Sequence, residues 1–413
     1  MTVYRLHNGT VDTDADDCGP ALARAQASHE RPQCLCRTPH PLMYIARAGQ
    51  TYIVKRMPNT GAHHAPTCTS YEPPAELSGL GEVVGSAIKE DADTGITTLK
   101  LDFALLRTGA RKAPVQGNGE ADTVRTDGKK LTLRGLLHLL WSDAGFNRWS
   151  PAMEGKRQWP TIRRYLLEAL AGKEAKGEAL AGAVFVPEPF KLDDKDAIAA
   201  RRSAKLAQLT ASAGRGKRLM VLVGEVKDIE LSRYGHKVVV KHLADYPFML
   251  NDDIHKRLAT RFGGELGTWR ADNENHLMMI ATFGVGPTGY ASIEEASLML
   301  TSPQWLPIED AWDGLLVRAL VEHRRHFVKG LRFNLASAKP LASAVTADTR
   351  PDPVAMYVLP AVEKPGYRES MRELLKGSSL PAWFWKPGDD APMPPLPAAL
   401  DYQPMTLPDG EDA

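Results

Sequence analysis

CLCRTPHPLMYIARAGQTYIVKRMPNTGAHHAPTC, residues 34–68, opens with two thiols one residue apart and closes with an imidazole four residues ahead of a third thiol. Zinc takes four soft or borderline ligands in a tetrahedron, usually from two short knuckles separated by a hairpin. Between the knuckles, Met43–Ala46 and Thr51–Lys55 are β-prone runs flanking Arg47-Ala48-Gly49-Gln50, where a glycine suits a tight turn. The segment predicts a zinc-ribbon-like module over residues 1–75, with Cys34, Cys36, His64 and Cys68 holding Zn. His63 is the alternative nitrogen donor, and Cys18 either replaces one sulfur or stays free. Four protein ligands leave no position for water, so the expected role is structural.

Working outward, the rest of the chain has the composition of an ordinary globular protein. It has 413 residues, 43% hydrophobic and 24% charged, enough for two to four domains. Lys and Arg number 51 against 50 Asp and Glu, so no global field points to nucleic acid or membrane, and any such surface is local. All four cysteines fall in the first sixth of the chain, which in a reducing compartment favours metal over disulfides. Apolar runs fall short of the roughly 20 residues that span a bilayer, and the opening residues do not read as a signal peptide, so a cytoplasmic location is expected.

A local basic surface is expected in the middle region. Residues 105–173 hold 13 Lys and Arg against 6 acids. Leu133, Leu136, Leu137 and Leu140 predict one helix, and Pro160 opens a second through Ile162, Tyr165, Leu166 and Leu170. Arg148, Lys156, Arg157, Arg163 and Arg164, interleaved with Trp149 and Trp159, suggest a winged-helix-like DNA reader whose cations meet phosphates. A further basic run, Arg201, Arg202, Lys205, Arg215, Lys217 and Arg218, reads alone as a solvated face.

The remaining periodicities predict a charged helix over 193–210, strands over Arg218–Glu230 and Lys237–Lys241, and a helix over Asn251–Phe262 capped by Asn251 or Asp252. His276–Phe283 reads as a strand covered on both faces. A helix over Glu309–Phe327 is expected to bury Trp312, Leu315, Leu316, Ala319 and Leu320. Strands over Gly330–Leu335, Leu341–Ala347 and Pro353–Leu359 and a helix over Glu369–Leu375 follow. From Ser379 the chain has eight prolines and one lysine against six acids. It reads as an aromatic patch, Trp383-Phe384-Trp385, running into an extended acidic tail that docks a protein partner.

Several apparent motifs carry less. Gly284-Val285-Gly286-Pro287-Thr288-Gly289 matches the dinucleotide fingerprint but reads as a turn between strands, since no helix opens inside it. Glu225-Val226-Lys227 reads as a solvated strand face, kept as an alternative Glu-x-Lys site. His323 and His326 are helical neighbours without a third ligand. Walker, H-E-x-x-H and G-x-S-x-G signatures are absent, which argues against NTPases, zincins and α/β-hydrolases.

Residues 34–74, together with LVRALVEHRRHFVKGLRFNLASAKPLASAVTADTRPDPVAMYVLPA (residues 316–361), resemble a bacterial domain-of-unknown-function family of about 400 residues. The resemblance implies a setting on plasmids and integrative conjugative elements. The C-terminal part is also similar to the restriction-endonuclease-like fold, where a strand bearing Asp precedes one bearing Glu-x-Lys and the carboxylates hold Mg²⁺. Asp348 or Asp352 would take the first place, but Met356 and Val358 stand where Glu and Lys belong. The expected architecture is thus α/β multidomain. It comprises a zinc module (1–75), strands with a basic helix pair (76–175), an α/β domain with a restriction-endonuclease-like C-terminal part (176–378) and the tail (379–413). The expected function is a zinc-stabilised, nucleic-acid-binding accessory protein of a mobile element without catalysis. An atypical Mg-dependent nuclease and a protein-interaction factor are the alternatives.

Overall fold

The computed structural model describes residues 3–13, 15, 18–48, 51–107, 128–210, 216–233, 235–286, 289–388 and 392–399. In the opening unit Met43–Ala48 and Thr51–Arg56 pair antiparallel, with Met43 opposite Arg56, as the sequence pattern predicts. The expected turn residues Gly49 and Gln50 lie outside the described residues. Around this hairpin sit a three-stranded sheet of Val3–Leu6, Gly9–Asp12 and Gln33–Cys34 and a helix, Cys18–Ala27, that turns Leu22 and Ala25 inward. Their core is small: Tyr4, Val11, Leu22, Ala25, Cys34, Met43 and Ile45.

The centre of the molecule is a closed five-stranded barrel. Its strands, in chain order, are Met220–Ser232, Gly235–Val240, Phe248–Leu250, His276–Val285 and Ala291–Thr301. The first pairs with the second through residues 226–232 and with the fourth through residues 220–225, so one long strand serves both neighbours across a bulge at 226–228. The second pairs with the third, the third runs parallel to the fifth, and the fifth pairs antiparallel with the fourth, closing the ring. Helices Asp252–Arg261 and Gly263–Ala271 intervene between the third and fourth strands. They begin at Asn251, whose side chain accepts the Ile254 N–H, the expected cap. Ile254, Leu258, Phe262 and Leu266 from these helices join barrel residues such as Val238, Phe248, Met279 and Phe283 in one core.

The fourth barrel strand has two buried faces. Met279, Ala281 and Phe283 belong to that core, whereas Met278 and Ile280 face a second, shared with helices Leu133–Asp143 and Trp159–Leu170. This explains its unbroken apolar run. It also corrects the winged-helix expectation. Leu133, Leu136, Leu137, His138, Leu139, Leu140 and Trp141 are all buried, so the first helix has no free face. Between the two helices lie a strand, Arg148–Trp149, and a short 3₁₀ turn in place of the three- or four-residue turn of a helix-turn-helix.

The C-terminal unit runs helix (Ala311–Glu322), three antiparallel strands (Phe327–Lys329, Ala344–Thr346, Ala355–Val358), helix (Tyr367–Gly377) and a last strand (Ala382–Trp385) parallel to Ala355–Val358. Arg148–Trp149 pairs with Phe327–Lys329 and completes a five-stranded sheet. Residues 330–335 are not a strand, contrary to the sequence pattern. The helix buries Asp313, Leu316, Val317 and Leu320 and leaves Trp312 and Leu315 exposed, one step round from the face expected. Trp383, Phe384 and Trp385 are buried core residues of the sheet, so the aromatic patch is not available to a partner. Described residues beyond them also touch the unit: Trp383 Nε1 donates to Pro395 O (2.9 Å) and Arg325 Nη1 to Pro397 O (2.6 Å). Of the expected acidic tail (379–413), residues 389–391 and 400–413 lie outside the described residues.

The G-x-G-x-x-G run behaves as expected. It joins two antiparallel barrel strands, with the Gly286 N–H donating to Tyr290 O (3.0 Å) and the Gly289 N–H to Gly286 O (2.9 Å). Pro287 and Thr288 lie outside the described residues.

Candidate functional site

The hairpin folds the chain back so that Cys34-Leu35-Cys36 faces His64-Ala65-Pro66-Thr67-Cys68. One donor atom from each of Cys34, Cys36, His64 and Cys68 lies within 4.8 Å of all the others. Cys34 Sγ and Cys68 Sγ are 3.7 Å apart, and His64 Nδ1 is 3.5 Å from Cys36 Sγ and 3.8 Å from Cys68 Sγ. With metal–sulfur bonds of about 2.3 Å, a tetrahedron has edges of roughly 3.8 Å, so these spacings fit one central ion. Backbone amides support the sulfurs: Ala65 N–H reaches Cys36 Sγ (3.3 Å) and Ser70 N–H reaches Cys68 Sγ (3.4 Å).

Electrostatics points the same way. Burial, with Cys36 and Cys68 adjoining, pushes the Cys34 thiol up to about 12, a penalty that a cation between the sulfurs would remove. Burial and the nearby Arg56, His63 and Arg148 hold the His64 imidazole down at about 4, in the neutral form a ligand requires. The alternatives resolve. His63 is exposed, and Cys18 Sγ points to Thr13 O (3.6 Å), outside the four-residue group.

The five cations expected on phosphates do not form one face. Arg157 is turned inward, donating to the carbonyls of Phe146 (3.1 Å), Gln304 (3.1 Å), Gly145 (3.2 Å) and Arg148. Arg148 is also enclosed, and burial brings its guanidinium down to about 10; around it stand Glu72, Arg56, Cys68 and Tyr71. Glu72 is already ion-paired to Arg56. A divalent ion with three thiolates and a neutral imidazole carries a net charge of −1, and Arg148 is placed to balance it. Lys156 and Arg164 are exposed, Arg164 pairing with Glu168 (3.6 Å), and Arg163 is half-buried.

Arg163 has company that the sequence did not bring to it. Together with Arg201, Arg202 and Lys205 of the helix Lys195–Thr210 it lines a hollow of about 280 Å³ beside the barrel. Only their separate helical positions were legible; that 38 residues of chain return the second run to the first is a tertiary fact.

A family model described as "Protein of unknown function (DUF1173)" matches residues 4–388. The chain belongs to that family. No curated protein and no solved structure matches it. The stretch that the DUF1173 model covers includes the Cys/His group, the barrel and the whole C-terminal sheet.

The carboxylates considered for Mg²⁺ do not gather. Asp348 is held by Arg325 (2.8 and 3.0 Å) and by the His326 N–H (2.8 Å), while Asp352 is exposed. Among the described residues the Cys/His group is the only set of three or more His, Cys, Asp or Glu with converging donor atoms. Glu225 corrects the sequence reading. It is buried, not solvated, bound by His276 Nδ1 (2.7 Å) and Lys241 Nζ (2.5 Å), while Lys227 is exposed. The bulge at 226–228 breaks the alternation on which the solvated-face expectation rested.

Proposed function

We propose that this chain is a zinc-stabilised nucleic-acid-binding accessory protein of a mobile genetic element, working without nuclease chemistry of its own. The observation that carries the reading is the barrel. Its strands close in the order first, second, third, fifth, fourth, first, with the third and fifth parallel and helices between the third and fourth. That is the connectivity of the OB-fold, which binds oligonucleotides on the face of its second and third strands and through the loops joining first to second and fourth to fifth. Fold analogy says where to look, and the residues must supply the chemistry. Here the half-buried Arg163 supplies positive charge beside the barrel, sharing a hollow with His242 and Leu243, while Lys156 and Arg164 add exposed charge elsewhere on the same stretch of chain.

Zinc is the fitting ion for the Cys/His group, because three thiolates and an imidazole in a tetrahedron suit it and leave no open position. In the C-terminal unit the order helix, three-strand meander, helix, parallel strand supports the nuclease-like resemblance. Met356 and Val358 in place of Glu and Lys, and Asp348 committed to Arg325, speak for a scaffold role. The mobile-element setting rests on the family resemblance alone.

The test is fluorescence anisotropy of the full chain with labelled DNA and RNA, alongside metal analysis. The expected result is one zinc per chain and a binding constant that falls linearly, on logarithmic axes, between about 50 and 200 mM salt. Failure to bind any nucleic acid at the low end of that range overturns the reading.

A further inference from the structure

From the basic hollow beside the barrel, and resting on the nucleic-acid reading above, we infer that the chain binds single strands, seating a backbone phosphate among Arg163, Arg201, Arg202 and Lys205. Three observations converge on this. The first is charge. Four cations line the hollow against one acid, Glu188, whereas a larger cleft of about 1200 Å³ elsewhere in the molecule is lined by six acids and five cations. Of these two, the small hollow is the one whose lining cations outnumber its acids, and two of them, Arg163 and Lys205, remain after Glu188 and Asp245 have each taken an arginine.

The second is how the cations are committed. Arg201 is bidentate on Glu188 (2.8–3.1 Å) and Arg202 on Asp245 (2.8 and 3.1 Å), which fixes both guanidiniums. Among the described residues Arg163 donates only its Nε, to Val186 O (3.3 Å), and Lys205 only to Ala181 O (3.1 Å). Both are held below their usual range, Lys205 by burial and Arg163 by burial with Arg201 adding repulsion; Glu188 opposes the shift at Arg163. An anion in the hollow would relieve both effects. His242, on the same wall, accepts the Phe190 N–H at Nδ1 (3.2 Å), so its Nε2 carries the hydrogen and is a further donor.

The third is continuity with the barrel. Arg202 lies over the Tyr246 ring (5.0 Å), and Tyr246 Oη donates to Gly289 O (3.3 Å) in the loop between the fourth and fifth barrel strands. Next in that loop is Tyr290, 63% exposed. An OB-type ligand loop with an exposed aromatic thus adjoins a cation-rich hollow, the pairing of stacking platform and backbone charge used for single strands. The hollow takes a backbone phosphate, and the preference for a single strand comes from the exposed Tyr290 ring, which stacks on a base freed from pairing.

The experiment is anisotropy with one labelled sequence presented as single strand and as duplex. Wild type, Arg163→Gln with Lys205→Gln, Arg163→Lys and Tyr290→Ala are compared, with circular dichroism reporting folding. The single strand is expected to bind at least roughly tenfold more tightly than the duplex. The double variant should flatten the salt dependence by about one to two charges, and Tyr290→Ala should weaken binding roughly 5- to 100-fold. Arg163→Lys, which keeps the charge, should bind within about threefold of wild type and so separates charge from fold damage. Equal or better binding of duplex, or unchanged binding by the folded double variant, overturns this inference and leaves the broader reading standing. If the folded wild type binds neither form, both fall.

Discussion

The two ends of the molecule solve the same problem differently. The opening unit has a core of seven clustered apolar residues and a four-donor Cys/His group able to hold a metal. The C-terminal sheet has a larger apolar core, containing Ala355, Tyr357, Leu359, Met371 and Phe384, and is tied by the buried ion pair of Lys329 with Asp313 (3.1 Å). On the zinc reading proposed above, the lesson is that a metal stands in for apolar area where the chain is too short to bury it.

The sharpest way to break this contrast is to remove the ion. Chelation, or Cys34→Ala with Cys68→Ala, is expected to cost the opening unit on the order of 10 kcal/mol of ordering energy. Hydrogen exchange should rise across residues 3–75 while the barrel amides stay protected; uniform loss, or none, refutes the division. The converse change is Trp383→Ala, expected to cost about 3–5 kcal/mol by urea unfolding, with the metal content unaltered. Lys329→Met should cost a similar ~3–5 kcal/mol by stranding the Asp313 carboxylate in a buried site, and double substitution with Asp313→Leu should recover much of it. Arg148→Met tests the link between the two regimes. If Arg148 balances the thiolate centre, chelator competition should report metal affinity about 10- to 100-fold lower, while Arg148→Lys loses less. The smallest effect expected is that of His63→Ala or Cys18→Ala, whose metal stoichiometry should stay at wild type by thiol titration and metal analysis.

The opening unit was the most legible part of the sequence because its chemistry is local: ligand spacing and hairpin lie within 35 consecutive residues. The barrel was hidden for the opposite reason. Its third strand, Phe248–Leu250, has three residues, its fifth lies in a stretch of mixed polarity, and closure depends on pairing residues 220–225 with 278–283. Formal charge misled in the middle region, since composition cannot distinguish an outward arginine such as Arg164 from Arg157, which is spent on carbonyls. The helix Ala311–Glu322 went astray because its apolar residues occupy more than half of the circumference, so periodicity alone allows a neighbouring face.

The pairing of Arg148–Trp149 with Phe327–Lys329 bears on any attempt to study the C-terminal sheet in isolation. A fragment beginning after residue 300 would leave Phe327–Lys329 as a naked border, its N–H and C=O groups in open solvent and ready to recruit another copy. Such a fragment should self-associate, and supplying the missing ribbon as a peptide spanning residues 145–152 should return it to a monomer.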